Sequence, residues 1–521
     1  MTVEHKSIEE LRSCGVVKLR DKDMYALWVK TACGNMTSRQ FRKLSEITEN
    51  YARGYLLFTT RQIPIIPFIH SRDVEKVQEE LSTVYLILDR CGPTVRGINV
   101  CYDDKVCPYA VTDGLSLGEK LDNFFYAPLS HKVKIGVAGC PRDCIVSRVL
   151  TDIGFVGVGR DGTKGYDVYY GGRLGVNPFV GQKVAESLNE TESVRLVQNF
   201  FDFMNQEGKP GERAADLIKR LGFDRVQQEL NKNLRERAIL EPIKCKTRLK
   251  SKETDKIILR IRATCGEVNA DQLRKIADIA DKYGLGFVHF AVRGAPEIPG
   301  VDKNHLEAIR EELGRVGMQI LDTGIDNLQS CFGSYCTESN VAPQPLLRKI
   351  EKLAEELGIN DLNIKISASG CPNSCGIAHL NDIGFMGVVE PEVDAGKCNG
   401  CELCLAVCKR KAIRMVNDVA MIDKENCRNC GQCITVCPAN AIAEKRRGFA
   451  VLVGGREGED TRLGETIAQF LSEGEALKVT ERALRLLQEK RSDMGGIIDK
   501  IGIERVKQFL LPAQDSVSSK V

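Results

Sequence analysis

Sixteen of the 21 cysteines in this 521-residue chain fall into four sets of four, and no other feature limits the fold so tightly. The sets are Cys101, Cys107, Cys140 and Cys144; Cys331, Cys336, Cys371 and Cys375; Cys398, Cys401, Cys404 and Cys408; and Cys427, Cys430, Cys433 and Cys437. Thiolates are the soft ligands that iron-sulfur clusters select, and close pairs from separated segments let one fold close around four irons. Buried free cysteines are the bland alternative. So many in metal-type spacing, in a long chain, argue instead for clusters in a reducing setting and against a disulfide framework.

The last two sets read Cys-x2-Cys-x2-Cys-x3-Cys, the second followed by Pro438. This is the run of bacterial two-cluster ferredoxins, in which the fourth cysteine of each set ligates the other cluster. Cys398, Cys401, Cys404 and Cys437 are therefore assigned to one 4Fe-4S cluster, and Cys427, Cys430, Cys433 and Cys408 to the other. A zinc ribbon is the weaker reading of the same spacing. Lys409 stands where the first set would usually carry proline.

The rest of the chain repeats itself. Ala32-Cys33-Gly34 returns as Thr264-Cys265-Gly266, and Thr60-Arg61-Gln62 as Val292-Arg293-Gly294, both at an offset of 232. Gly139-Cys140-Pro141-Arg142-Asp143-Cys144 returns as Gly370-Cys371-Pro372-Asn373-Ser374-Cys375 at an offset of 231. Asp152-Ile153-Gly154-Phe155-Val156-Gly157 returns as Asp382-Ile383-Gly384-Phe385-Met386-Gly387, and Gly171-Gly172-Arg173 as Gly454-Gly455-Arg456. The offset jumps by about fifty between the last two markers. The ferredoxin run is thus an insert in the second repeat.

Helix-period segments at 38–51 and 270–283, with Thr37 and Asn269 as N-caps, precede strand-like runs at 55–59 and 286–290. This alternation gives α+β or α/β layers. The polar segment 227–254 reads as the link between the repeats.

Cys331-x4-Cys336, then Cys371-Pro372-Asn373-Ser374-Cys375-Gly376 and the following Asp382 to Gly387, resemble the sirohaem and 4Fe-4S half of nitrite and sulfite reductases. The family's first pair usually has five intervening residues where this one has four. The resemblance implies an α+β fold of two tandem repeats related by a pseudo-twofold, carrying an inserted two-cluster ferredoxin domain. Its expected boundaries are ferredoxin-like lobes at 14–85 and 255–318, sirohaem/4Fe-4S domains at 86–230 and at 319–390 with 444–512, a linker at 231–254, and the insert at 391–443. It also implies sirohaem, one cluster in each repeat besides the two in the insert, and Cys375 as the thiolate bridging cluster to sirohaem iron, with Cys144 its counterpart. Placement of the insert after the Cys-x3-Cys pair looks most like the dissimilatory and anaerobic sulfite reductases.

In that family each half supplies substrate residues to a cofactor anchored by the other. Small oxyanions beside an anionic macrocycle need guanidinium and ammonium groups. Arg61, Arg96, Lys132 and Lys134 stand where the family's motifs place them. Lys132 and Lys134 read as alternate residues of a strand, pointing to one face; a solvated strand edge is the plain alternative. The second repeat has Arg293 and Lys365 at two of these positions, but Asp326 replaces Arg96 and Asn363 replaces Lys132. A carboxylate at about 4 Å is worth roughly 4 kcal/mol against an anion at an effective dielectric near 20. One catalytic pocket is therefore expected: cofactor anchored through Cys375, anion held by the first repeat's cations.

The reaction implied is six-electron reduction of sulfite to sulfide, with electrons entering through the insert. Nitrite reduction on the same scaffold, and electron transfer by a cluster protein without turnover, stay open as alternatives. Arg173 and Arg456, each after a glycine pair, suit the carboxylates of a sirohaem; a plain turn explains them nearly as well. Lys409 to Lys411 and Lys445 to Arg447 are candidates for docking an acidic donor, with solvated surface the preferred reading. No dinucleotide fingerprint is visible, so an external ferredoxin or flavoprotein subunit is the expected electron source. Cys14, Cys33, Cys91, Cys245 and Cys265 lack metal spacing and read as buried packing residues. A net charge of +3 gives no argument for nucleic acid. No signal peptide or membrane-length apolar run is visible, which points to the cytoplasm. Homo-oligomerisation is left open.

Overall fold

The helices at Ser38–Tyr51 and Ala270–Tyr283 begin where the sequence places them. Thr37 and Asn269 each accept the backbone N–H three residues on, while Gln40 and Gln272 reach back to the cap amides. Each end is thus a reciprocal capping box. The structure, a computed structural model, describes residues 6–102, 104, 106–126, 131–234, 256–321, 324–359 and 362–511. Cys245 and the link from 235 onward lie outside the described residues.

The chain forms two units. The first comprises Met1–Arg173, Pro178–Asp322 and Glu457–Glu459; the second comprises Leu174–Asn177, Thr323–Arg456 and Asp460–Val521.

Two ferredoxin-like lobes in the first unit exchange strands. The first lobe's sheet runs Val16–Lys18, Met24–Trp28, Pro64–His70, Tyr55–Phe58, and then takes Glu267–Asn269 from the second lobe. Reciprocally, Asn35–Thr37 completes the sheet of Lys256–Arg260, Pro296–Asp302 and Phe287–Phe290. Val268 pairs with Leu56, and Met36 with Val288. The two capped helices pack together, Arg42 reaching Asp278 and Asp281 at 2.8 Å and Arg274 reaching Glu49 at 2.9 Å. Beneath them one apolar core serves both lobes, with the Phe290 ring 5.6 Å from Phe41 and 4.6 Å from Phe58.

Each repeat also builds a five-stranded mixed sheet. In the first unit, Asn99–Val100, Ile135–Ala138 and Ile153–Arg160 run parallel, followed by antiparallel Thr163–Tyr170 and Gln182–Leu188. In the second unit, Gln329–Ser330, Ile366–Ser369, Ile383–Val393, Ile442–Val453 and Glu465–Leu471 repeat that pattern. The insert replaces one hairpin turn. Arg160 pairs with Thr163 across a tight Asp161-Gly162 turn in the first repeat, whereas the corresponding hairpin of the second runs on to Val393 opposite Ile442 and opens into the ferredoxin segment.

The repeated Asp-Ile-Gly-Phe-x-Gly stretch has a packing cause. A Cβ on Gly157 would sit 2.4 Å from the Gly139 carbonyl oxygen, and one on Gly387 2.2 Å from that of Gly370. Only glycine lets this strand lie against the cysteine loop.

Candidate active site and cluster sites

Both Cys-x3-Cys loops are tightly constrained. Asp143 and Val146 in one, and Ser374 and Ile377 in the other, have φ between 48° and 57°. A β-branched residue in the left-handed region is a genuine outlier, kept only where the surroundings over-determine it. Its recurrence at equivalent positions marks the loops as functional.

The loops bring the expected cysteines together. Burial, then the neighbouring Cys144, Cys140 and Cys107, push the Cys101 thiol well up. In the second set burial and Cys375 raise Cys331 to about 12, and burial, Cys375 and Cys331 push Cys371 well up. Crowded, desolvated thiols that resist ionisation by themselves fit a site completed by a cationic iron cluster. Backbone amides already face the sulfurs: Gly139 N–H donates to Cys101 Sγ at 2.9 Å, and Gly333 and Gly370 donate to Cys331 Sγ at 3.2 and 3.1 Å. Cys144 and Cys375 are the exposed members of their sets.

In the insert, one cavity is lined by Cys408, Cys427, Cys430 and Cys433, and another by Cys398, Cys401, Cys404 and Cys437. Each cavity is thus lined by three cysteines of one set and the fourth of the other. The larger cavity is also lined by Cys371 of the second repeat's set.

The four cations of the first repeat gather in the first unit. Arg61 sits on the turn between Tyr55–Phe58 and Pro64–His70, its N–H bonded to Thr59 Oγ1 at 3.3 Å. Its guanidinium pairs with Asp89 and lies 4.9 Å from the Trp28 ring centre. Arg96, nearly fully buried, lies 5.9 Å from the same ring. Burial, and then the charge of Arg61, pull Arg96 down to about 10. Burial also drives Lys132 well below the usual lysine range, helped by Lys134, Arg96 and Arg213. Among the described residues Arg61 Nη1 and Arg96 Nε are buried without a hydrogen-bond partner.

The structure differs from the sequence reading in three places, at Lys132 and Lys134, Cys14 and Cys91. Lys132 and Lys134 lie just before the strand Ile135–Ala138, flanking Val133, which bridges Val95. Cys14 is exposed, whereas Cys33 and Cys265 are buried as expected. Cys91 is not apolar packing: burial alone would raise its thiol, but Arg96, Arg61 and Lys132 outweigh it and hold the thiol below its usual range. The glycines before Arg173 and Arg456 approach the chain's own backbone, a Cβ on Gly172 falling 2.5 Å from Arg148 O and one on Gly455 2.3 Å from His379 O. Arg173 pairs with Asp216 at 2.8 Å and Arg456 with Asp493 at 3.0 Å.

Asp89 and Trp28 carry no signal in the sequence, and Asp152 shows there only as a repeat marker. Asp152 accepts the Lys134 N–H at 2.9 Å and both arms of Arg213 at 2.8 Å. Its repeat counterpart Asp382 accepts the Lys365 N–H at 2.9 Å, and Asp326 N–H donates to Ile364 O as Arg96 N–H does to Val133 O. The replacement of Arg96 by Asp326 is therefore structurally as well as sequentially equivalent. The basic run at 445–447 is engaged within its own hairpin, Lys445 with Glu392, Arg446 with Glu390 and Arg447 with Glu444.

Two copies of one α+β unit, each with a cysteine set, define an iron-sulfur oxidoreductase of the two-repeat kind. The family model described as "Nitrite and sulphite reductase 4Fe-4S domain" matches residues 91–238 and 322–514, and that described as "Nitrite/Sulfite reductase ferredoxin-like half domain" matches 17–84 and 250–316. The chain belongs to the nitrite and sulfite reductase family. It is 27% identical over 216 residues, covering 41% of this chain and 95% of the relative, to "Sulfite reductase, assimilatory-type" of Nitratidesulfovibrio vulgaris. It is 25% identical over 379 residues, 68% of each chain, to "Sulfite reductase [ferredoxin] 1" of Mycolicibacterium paratuberculosis. Its fold matches the structure of the Mycobacterium tuberculosis NirA protein with a TM-score of 0.73 at 18% identity, over 97% of this chain and 93% of that one. Sirohaem and 4Fe-4S clusters are the cofactors of the family. Among the described residues no helix is long and apolar enough to cross a membrane.

Proposed function

We propose that the chain reduces sulfite to sulfide, with Arg61, Arg96, Lys132 and Lys134 holding the anion and Cys375 among the thiolates that would hold a sirohaem and its 4Fe-4S cluster. The cation cluster carries this reading. Arg61, Arg96 and Lys132 are close enough to depress one another, and two of their guanidinium N–H groups are buried without partners. Asp89 answers only one of these charges; buried charge beyond that is costly, and an oxyanion supplies both the missing acceptors and the opposite charge. The bound sirohaem and cluster supply the iron at which the bonds to oxygen are broken and the electrons for it.

The side chains do the remainder. Every oxygen lost leaves as water, so the site must deliver protons. A lysine whose affinity for its proton is lowered by burial and by like charges, as at Lys132, gives that proton up more readily than an ordinary lysine. The cavity shared by Cys371 and the inner ferredoxin set supports a path for electrons from the insert. An external protein donor would feed it.

The test is anaerobic purification, extraction of sirohaem, and steady-state rates with sulfite and with nitrite from one donor. Sirohaem together with a higher kcat/KM for sulfite is expected. Preference for nitrite would replace the substrate, and absence of sirohaem or of turnover would remove the reading.

A further inference from the structure

Arg293 repeats Arg61, but its surroundings differ. Its Nη2 donates to Glu457 Oε1 at 2.9 Å, and the pair is nearly buried, at 9% and 11% exposure. Glu457 belongs to a three-residue segment, Glu457–Glu459, that is part of the first unit. The loop is fixed there by its backbone. Arg148 Nη1 donates to Gly458 O at 2.7 Å, and a Cβ on Gly458, whose φ is +93°, would lie 3.2 Å from Arg142 O, on the loop between Cys140 and Cys144. At the offset of 283 that relates the two Gly-Gly-Arg motifs, the first repeat has Leu174 in place of Glu457 and Gly175 in place of Gly458.

We propose that Glu457 is a built-in substitute for the substrate anion: its carboxylate occupies Arg293 and closes the second repeat's anion site to sulfite. The inference rests on the reading that Arg61 and its counterpart are anion-binding arginines. A carboxylate offers a guanidinium the same charge and acceptor geometry as an oxyanion. Tethered by Arg148 and by the packing of Gly458, it competes at high effective concentration. The leucine at the equivalent position offers no acceptor. Arg61 is also paired with a carboxylate, Asp89, but not one borne on the Gly-Gly-Arg loop, so the loop-borne closure belongs to the second repeat alone.

The test counts anion sites on the oxidised holoenzyme, with sulfite as titrant in calorimetry and equilibrium dialysis. Wild type should bind one sulfite per chain. Glu457→Leu, which copies the other repeat, should bind a second, and Arg293→Ala added to it should abolish that second site. If Glu457→Leu fails to fold, Glu457→Gln serves, with a second site at least tenfold weaker than the first. Two sites in wild type, or one site in a folded Glu457 variant, would overturn the closure while leaving the proposed function standing. No sulfite bound by wild type but one by the variant would support the closure and remove the proposed anion site at Arg61. No binding by either would overturn both.

Discussion

Asp89 is fully buried and holds the guanidinium of Arg61, while the Gly97 amide and the Tyr126 hydroxyl donate to its other oxygen at 3.2 Å each. Three groups thus fix one carboxylate, and the carboxylate fixes the arginine. Asp89→Asn keeps the shape but removes the charge partner, and breaking one side of a buried ion pair costs about 3–5 kcal/mol. The thermal unfolding midpoint of the holoenzyme should fall and the KM for sulfite rise by about tenfold or more. A lowered midpoint with unchanged KM would leave Asp89 a packing residue only.

Lys134 and Lys365 occupy equivalent positions, each with its N–H on a buried aspartate. Only Lys134 lies with the cation cluster that includes Lys132. Lys134→Ala should lower kcat/KM by about 10²–10³-fold, the scale for losing one preorganised electrostatic contact, whereas Lys365→Ala should change it less than about threefold. Equal losses would end the asymmetry between the repeats.

The depressed proton affinity of Lys132 makes anion binding proton-linked. Burial and neighbouring cations lower its pKa, and a bound anion raises it again, so binding should take up protons wherever the lysine is partly neutral. Sulfite titrations in buffers of different ionisation enthalpy should show this uptake increasing with pH, and Lys132→Met should remove it. The same shift acts on folding. An ammonium less stable in the folded chain than in the unfolded one costs stability below its folded pKa, and the penalty is relieved as pH rises toward the ordinary lysine range.

The insert should be separable. Its hairpin ends at Val393 opposite Ile442, and the first repeat closes the equivalent hairpin with Asp161-Gly162. Replacing residues 394–441 by Asp-Gly, a two-residue turn suited to such strands, should leave a folded protein. Cluster iron should drop from about sixteen to about eight per chain, as expected for two 4Fe-4S clusters remaining of four. Turnover driven by a protein donor should fall at least tenfold, while turnover driven by a small reduced dye is retained. Equal rates with both donors would mean that electrons do not pass through the insert.

Local chemistry is what the sequence disclosed well. Capped helices at Thr37 and Asn269, cysteine spacing and the repeat markers depend on residues close in the chain, and all are present in the fold. Asp89 and Trp28 were invisible because nothing within a few residues signals that Arg61 will lie against them. Cys91 was misread for the same reason: its surroundings are made by Arg61, Arg96 and Lys132, drawn from three segments. The ion pair of Arg293 and Glu457 spans 164 residues and carries no spacing signal at all.

The strand exchange between the ferredoxin-like lobes has a consequence for assembly. Without the other half, Tyr55–Phe58 and Phe287–Phe290, both largely buried, would become open sheet edges, which recruit foreign strands. Carrying both halves on one polypeptide turns a bimolecular encounter into loop closure, whose entropic cost grows only slowly with length. Maturation of the fold is thereby freed from dependence on protein concentration, and each nascent half finds its complement before a stranger can.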